Sequence, residues 1–161
     1  MNDTEDLARR VVEALTQRGL TLALAESTTG GLIGSLITDV PGASKCFLGS
    51  VVPYSNDAKE TLLGVPKQTM IDHGSVSAET ALAMAHGVRQ RFGSDIGVGV
   101  TGITGPDGGT ATKPVGLVHI DVVGPGTTMS QEQWVWNGTR VENKQDSALA
   151  ALTVILETAG R

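Results

Sequence analysis

Cysteine, histidine and aromatic side chains are scarce in this sequence of 161 residues, which contains one cysteine, three histidines and 3% aromatic residues. The single Cys46 excludes an internal disulfide and a multi-cysteine metal site, and a lone thiol is typical of proteins in a reducing cytoplasm. The histidines are scattered and lack the paired spacing of metal ligands. We therefore expect no metal, and nothing in the sequence indicates another cofactor.

Long apolar runs and an excess of basic residues are also missing. No segment approaches the roughly 20 apolar residues that span a bilayer, and the first ten residues are acidic and polar, unlike a signal peptide. The formal net charge is −5, whereas nucleic-acid binders normally present a basic surface. We therefore expect a cytoplasmic protein that binds neither membranes nor nucleic acids.

Two common catalytic signatures are absent. The sequence has no G-x-x-x-x-G-K-[ST] phosphate loop and no G-x-S-x-G nucleophile elbow. Any enzymatic site must therefore be built from other residues.

Segments with helical and strand periodicity alternate along the chain, which has the length of a single domain over residues 1–161. This alternation predicts an α/β fold in which helices cover both faces of a mixed β-sheet. A turn at residues 124–126 favours an antiparallel hairpin at its end. Strands are predicted at 21–25, 50–54, 95–103, 116–123 and 129–136, and helices at 3–19, from after Gly31 to about Val40, at 58–63, briefly after Pro66, at 78–92 and at 141–158.

Hydroxyl side chains cluster where the first predicted strand meets a helix. Ser27, Thr28 and Thr29 lie between Glu26 and the glycine pair that starts at Gly30. Ligands of open α/β sheets bind at the carboxyl ends of the strands. A serine there can attack a carbonyl carbon while nearby N–H groups hold the oxyanion. Plain capping of the helix is the alternative interpretation of these residues.

Three further segments can supply chemical groups. Lys59 can act as a base if burial lowers its pKa, and the lone Tyr54 lies near it; a surface lysine and a packing tyrosine are the alternative. The Gly-Pro-rich loop after Thr101 can cradle a nucleotide or phosphate through its backbone, or it is only a tight turn. Arg140 can form a fork with a phosphate, or it faces solvent.

Together these segments resemble one family, the CinA C-terminal domain family, whose characterised enzymes are nicotinamide mononucleotide amidohydrolases. The matching blocks occur in family order and cover nearly the whole chain. They are Ala25–Gly31 (AESTTGG), Thr38–Ser44 (TDVPGAS), Tyr54–Lys59 (YSNDAK), Leu63–Val65 (LGV), His73–Ser77 (HGSVS), Val100–Gly109 (VTGITGPDGG) and Lys113–Gly116 (KPVG).

The resemblance implies a three-layer α/β/α fold, a stand-alone domain and hydrolysis of the carboxamide of nicotinamide mononucleotide. It implies that Ser27 is the nucleophile, with Ser44 as the alternative nucleophile or a hydrogen-bonding partner, and that Lys59 and Tyr54 transfer protons. Arg140 would meet the substrate phosphate. The remaining substrate-binding positions implied by the matching blocks are Thr28, Thr29, Gly30, Thr101, Gly102 and Gly105.

The chain departs from the family pattern at three places. Thr28 replaces a cysteine, which keeps a small polar side chain. Pro53 precedes Tyr54 where the family has another residue, so we expect a shifted phenol. Thr139 replaces an aspartate before Arg140, so we expect Arg140 to be held less firmly. Small α/β enzymes are often symmetric assemblies, and we expect a homo-oligomer.

Overall fold

A computed structural model describes residues 3–126 and 129–160, which form five strands and six helices. The strands are β1 (Leu22–Glu26), β2 (Phe47–Val51), β3 (Ile96–Gly102), β4 (Leu117–Val123) and β5 (Met129–Val135). The helices are α1 (Asp3–Arg18), α2 (Leu32–Thr38), α3 (Asn56–Leu63), α4 (Lys67–His73), α5 (Ala78–Phe92) and α6 (Arg140–Ala159).

The strands form one mixed sheet in the order β2-β1-β3-β4-β5. Strands β1, β2 and β3 run parallel to one another, whereas β4 is antiparallel to both β3 and β5. Helices α1, α2 and α6 cover one face, and α5 covers the other with α3 and α4 packed beside it. The structure thus confirms the three-layer α/β/α fold, the mixed sheet and the hairpin of β4 and β5.

Strand β1 contributes to the core on both faces of the sheet. Leu22 and Leu24 belong to the apolar cluster under α1, α2 and α6, while Ala23 and Ala25 pack with Met84 on the α5 side. Successive side chains of a strand point to opposite faces, so every residue of β1 is buried. Its uninterrupted apolar sequence is the pattern expected of a strand covered on both faces.

The glycines of β3 allow α5 to approach the sheet closely. A Cβ atom at Gly97 would lie 2.2 Å from the carbonyl oxygen of Ala85, and one at Gly99 would lie 2.1 Å from that of Ala81. Both distances are shorter than real contacts, so only glycine fits at either position. These glycines therefore mark helix packing rather than a ligand.

The two parallel strands at the centre are tied together where they begin. The carboxylate of Asp95 accepts hydrogen bonds from the backbone N–H of Thr21 at 2.8 Å and from its hydroxyl at 3.0 Å. The N–H of Asp95 donates in turn to Thr21 Oγ1 at 3.0 Å. These contacts fix the register in which Leu22 lies opposite Ile96.

The boundaries of β2 were wrongly predicted. The structure places it at Phe47–Val51, three residues before the predicted start at residue 50. The pair Val51 and Val52 has the β-branched composition of a strand, but Pro53 has no N–H for a ladder and lies beyond the strand's end. The segment that contains Tyr54 is therefore a connection into α3.

None of the helices in residues 3–126 and 129–160 has the length and apolar composition needed to cross a membrane.

Candidate active site

A cavity of about 200 Å³ opens beyond the carboxyl ends of β1 and β3. The chain leaves β1 in one direction along the sheet to form β2 and returns past β1 to form β3, so these two ends flank a topological switch point, where ligands of α/β sheets bind. Residues from five segments line the cavity. They are Ser27, Thr28, Tyr54, Lys59, Ser75, Val76, Thr101, Gly102, Ile103, Thr104, Gly105, Asp107, Gly108 and Arg140.

Ser27 and Lys59 are in contact at the base of this cavity. The backbone N–H of Ser27 donates to Val100 O at 2.9 Å, which extends the pairing of β1 with β3 by one residue. Strand alternation therefore puts Ser27 on the same face as Ala25, the face on which α3 lies. Lys59 projects from α3, and its Nζ atom lies 3.0 Å from Ser27 Oγ.

The surroundings of Lys59 favour its neutral form. Only 2% of its surface is exposed, and burial lowers the pKa of its amine below the ordinary lysine value. Its second hydrogen-bond partner is a neutral group, the carbonyl oxygen of Tyr54, to which Nζ donates at 3.1 Å. Within the described part of the chain, no salt bridge involves Lys59. The amine is therefore placed to take a proton from Ser27.

The hydroxyl residues after β1 do not cap α2. Gly31 occupies the N-cap position and no side chain of the cap residue bonds the helix. The first helical amides instead donate to the carboxylate of Glu26: Ile33 N to Oε1 at 2.8 Å and Gly34 N to Oε2 at 3.0 Å. The capping interpretation of Ser27 and Thr28 was wrong, and these two α2 amides are not free for an oxyanion.

One backbone donor next to Ser27 remains available. Thr28 lines the cavity, and its N–H has no acceptor among the residues that the structure describes. An amide directly after the nucleophile is a common member of oxyanion holes.

Tyr54 and Arg140 meet at the mouth of the cavity. The guanidinium of Arg140 donates from Nη2 to the phenol oxygen of Tyr54 at 3.0 Å and from Nη1 to the carbonyl oxygen of Gly105 at 2.7 Å. Tyr54 is 61% exposed. Lys59 bonds the backbone carbonyl of Tyr54 and not its phenol, so the structure does not form the Lys59–Tyr54 proton-transfer pair that was expected.

The substituted residue before Arg140 is the cap of the helix that Arg140 begins. Thr139 is the N-cap of α6, its side chain accepts from Glu142 N, and the Glu142 side chain accepts from the Thr139 amide. This capping box fixes the first turn of α6. Arg140 therefore begins a helix whose first turn is fixed, and this geometry gives no support to the expectation that Arg140 is held less firmly.

The far wall of the cavity comes from the end of β3 and from residues 75–76, which were not among the predicted site residues. The hydroxyl of Thr101 donates to the carbonyl oxygen of Ser75 at 2.7 Å. Ser75 and Val76 line the cavity beside Gly102. They belong to the His73–Ser77 block that carried part of the family resemblance, so that block was the available signal.

Three predicted site residues lie outside the cavity. The hydroxyl of Thr29 donates to Glu26 Oε1 at 2.9 Å, and Gly30 lines a neighbouring groove with Thr29. Ser44 is exposed in a short 3₁₀ turn before β2. That turn is at the amino-terminal end of the parallel strands, roughly 16 Å along the sheet from Ser27 at about 3.3 Å per residue. The expectation that Ser44 shares the site was therefore wrong for the site within one chain.

Other reactive side chains do not form a second centre in the described residues. No group of three or more His, Cys, Asp or Glu residues comes together within residues 3–126 and 129–160. Cys46 is completely buried, and burial raises the pKa of its thiol. Cys46 is therefore a residue of the hydrophobic core.

The fold and this cavity define a three-layer α/β/α protein with a buried serine–lysine pair at the ends of its parallel strands. The model of the CinA C-terminal domain matches residues 4–159. The chain belongs to that family.

Individual relatives agree with this assignment. A CinA-like protein of Gloeobacter violaceus is 54% identical over 130 residues, which cover 81% of this chain and 30% of the relative. The chain thus spans about a third of the length of such relatives. The chain also resembles solved structures. The competence/damage inducible protein CihA of Agrobacterium tumefaciens is 39% identical, with a TM-score of 0.95 and coverage of 98% of this chain and 96% of that one. A CinA superfamily protein of Klebsiella pneumoniae is 27% identical, with a TM-score of 0.94 and coverage of 99% of each chain.

Proposed function

We propose that this chain hydrolyses the carboxamide of nicotinamide mononucleotide, giving nicotinic acid mononucleotide and ammonia. The observation that carries the proposal is the contact of 3.0 Å between Lys59 Nζ and Ser27 Oγ inside the cavity. A serine hydroxyl is a weak nucleophile until an adjacent base removes its proton, and a buried lysine without a carboxylate partner can be that base.

The reaction proceeds in two halves through an acyl-enzyme. Neutral Lys59 takes the hydroxyl proton of Ser27 while Oγ forms a bond to the carboxamide carbon. The resulting Lys59 ammonium gives its proton to the amide nitrogen, and the carbon–nitrogen bond breaks to release ammonia. Water then attacks the ester with Lys59 as the base, which frees the carboxylic acid and restores Ser27.

Two other groups support this chemistry. The free amide of Thr28 lies directly after the nucleophile, where it can hold the developing oxyanion. Arg140 lies at the mouth of the cavity and offers a planar fork of N–H donors suited to a phosphate. Its present partners, the Tyr54 phenol and the Gly105 carbonyl, are neutral groups that a phosphate dianion can displace.

The direct test is an assay of ammonia release from nicotinamide mononucleotide by the purified protein. Ser27→Ala should abolish release, and the exposed Ser44→Ala provides a matched serine control that should retain it. Loss of activity in Ser44→Ala with retention in Ser27→Ala would assign the nucleophile to Ser44. Nucleotide binding without any ammonia release from the wild-type chain would make it a binding module and overturn the proposal.

A further inference from the structure

Glu26 is a completely buried carboxylate that the proposed reaction does not use. Its Oε1 atom accepts hydrogen bonds from the Thr29 hydroxyl at 2.9 Å and from Ile33 N at 2.8 Å. Its Oε2 atom accepts from Gly34 N at 3.0 Å and from the Ser50 hydroxyl at 2.8 Å. Four donors on one carboxylate compensate the cost of removing it from water.

These four donors come from three parts of the chain. Thr29 belongs to the turn that follows Ser27, the two amides belong to the first turn of α2, and Ser50 belongs to the neighbouring strand β2. Glu26 itself is the last residue of β1 and is bonded covalently to Ser27. A single side chain therefore fixes the turn that carries Ser27 and Thr28 to both its helix and its adjacent strand.

Strand alternation separates the two neighbours in space. Glu26 projects to the α2 face of the sheet and Ser27 to the α3 face. The carboxylate therefore holds the turn on the α2 face, while Ser27 contacts Lys59 on the opposite face. The contacts of Glu26 thus set the position of Ser27 Oγ without approaching the cavity.

We infer that Glu26 is a positioning residue for nucleophilic attack. Its four hydrogen bonds hold the turn so that Ser27 Oγ stays next to Lys59 Nζ and the Thr28 N–H points to where the oxyanion forms. This inference rests on the proposed function. A misplacement of about 1 Å can cost roughly 100-fold in rate, so the loss should fall on kcat. In the proposed function substrate binding depends on Arg140, whose guanidinium bonds Gly105 and Tyr54 and not Glu26.

The geometry explains why an amide cannot replace this carboxylate. A glutamine offers one oxygen and one NH₂ group. The hydroxyls of Thr29 and Ser50 can rotate to accept from the NH₂ group, but the backbone amides cannot accept. In either orientation, one of the two helix amides, at Ile33 or at Gly34, loses its acceptor and faces another donor.

The experiment compares Glu26→Gln, Glu26→Asp and the control Ser50→Ala with the wild type, at a temperature where circular dichroism shows each variant to be folded. Ser50→Ala removes one of the four donors and leaves both helix amides bonded. For ammonia release from nicotinamide mononucleotide, we expect Glu26→Gln to lower kcat roughly 100-fold with KM within about threefold. Glu26→Asp should recover part of that loss, and Ser50→Ala should remain within about fivefold of wild type.

A second measurement separates this inference from the proposed substrate. A small fluorophosphonate reagent that modifies activated serines is added, and the rate constant for labelling Ser27 is measured by mass spectrometry, with Ser27→Ala as the blank. Slower labelling of folded Glu26→Gln supports the inference even if nicotinamide mononucleotide is not turned over, an outcome that would defeat only the proposed function. Labelling of both Glu26 variants at the wild-type rate, or failure of both to fold, would reduce Glu26 to a structural cap and overturn the inference.

Discussion

At the scale of single residues, burial determines what Lys59 can do. An exposed lysine with a pKa of about 10.4 is almost entirely protonated near neutral pH and cannot accept a proton. Lys59 is removed from water and has no carboxylate beside it in the described residues, so its ammonium form is destabilised. The same side chain on the surface of α3 would be chemically inert.

The first prediction concerns the pH dependence of the reaction. In the proposed reaction only the neutral amine of Lys59 can act as the base, so kcat/KM should rise with pH through one ionisation that lies below about 10.4, the ordinary lysine value. Lys59→Met should remove most activity, and Lys59→Arg should not restore it, because arginine stays charged.

The exposed Lys67→Met is the matched control and should keep the wild-type pH profile. An active Lys59→Arg variant would show that residue 59 contributes only charge, and the base would then be sought in a bound water.

Asp121 is a second residue whose surroundings oppose its usual charge. It is fully buried in β4. Its Oδ2 atom accepts from Gln131 Nε2 at 3.0 Å, while Oδ1 has no hydrogen-bond partner among the described residues. Burial is the main cause that raises the pKa of this carboxyl to about 7. Because the folded pKa exceeds the unfolded value of about 3.9, this group's contribution to stability is complete below about pH 4 and is lost as pH rises through about 7.

The second prediction follows from this sign. Asp121→Asn keeps an oxygen for Gln131 and removes the buried charge, so it should raise the free energy of unfolding at pH 8 by about 1–3 kcal/mol. At pH 5 the gain should shrink, since wild-type Asp121 is then mostly protonated. Urea denaturation at both pH values measures the difference. Asp146→Asn, at an exposed site on α6, controls for the change in net charge and should show no such pH dependence.

At the scale of elements, the contact between α5 and β3 depends on glycine. Gly99→Ala places a Cβ 2.1 Å from the carbonyl oxygen of Ala81, so helix and strand must move apart. We expect a loss of about 1–3 kcal/mol, typical of overpacking, as measured by chemical denaturation. Gly160→Ala is a suitable control because its φ is −79° and the nearest atom would lie at 3.4 Å. An unchanged stability of Gly99→Ala would show that α5 is not locked against the sheet.

Helices with clear end signals were predictable, as α5 illustrates. Serine is a favoured N-cap residue, and the Ser77 hydroxyl accepts from Thr80 N at 3.1 Å, while Gly93 takes the left-handed conformation at the other end. Strand β2 lacked such signals. Glycine is depleted in strands, but at Gly49 a Cβ would lie 2.6 Å from the ring of Phe92, so a larger residue would displace that ring. That constraint is a tertiary contact and leaves no local pattern in the sequence.

The candidate site was predictable in part for the same reason. Motif positions indicated Ser27, Lys59, Thr101 and Arg140, and the structure brings all four to one cavity. The contacts of Glu26 had no such signal, because every residue of β1 is buried and the sequence therefore does not mark which face each side chain joins. The distance of Ser44 from the cavity depends on which end of β2 it precedes, which a one-dimensional motif does not encode.

At the scale of the whole molecule, ligand binding should raise stability. A ligand that binds only the folded state at 100 times its Kd adds about 2.7 kcal/mol, which is roughly 5–10 °C in Tm for a chain of this size. We expect nicotinic acid mononucleotide to produce such a shift by differential scanning fluorimetry. Arg140→Ala should need a higher ligand concentration for the same shift, whereas Arg10→Ala, an exposed change on α1, should not. An equal response of both variants would remove Arg140 from phosphate binding.

The pairing of Thr21 with Asp95 has a consequence for the order in which the protein folds. These residues are 74 positions apart, whereas β4 ends only six positions before β5 begins, so these two strands pair locally. The loss of chain entropy on closing a loop increases with the length of the loop. Pairings between residues far apart in sequence therefore form slowly. Ser27 and Thr101 become neighbours only when this long loop closes. We therefore expect the cavity to be assembled in the step that joins the first third of the chain to the centre of the sheet, and binding of nicotinic acid mononucleotide after dilution from denaturant to lag behind formation of the hairpin.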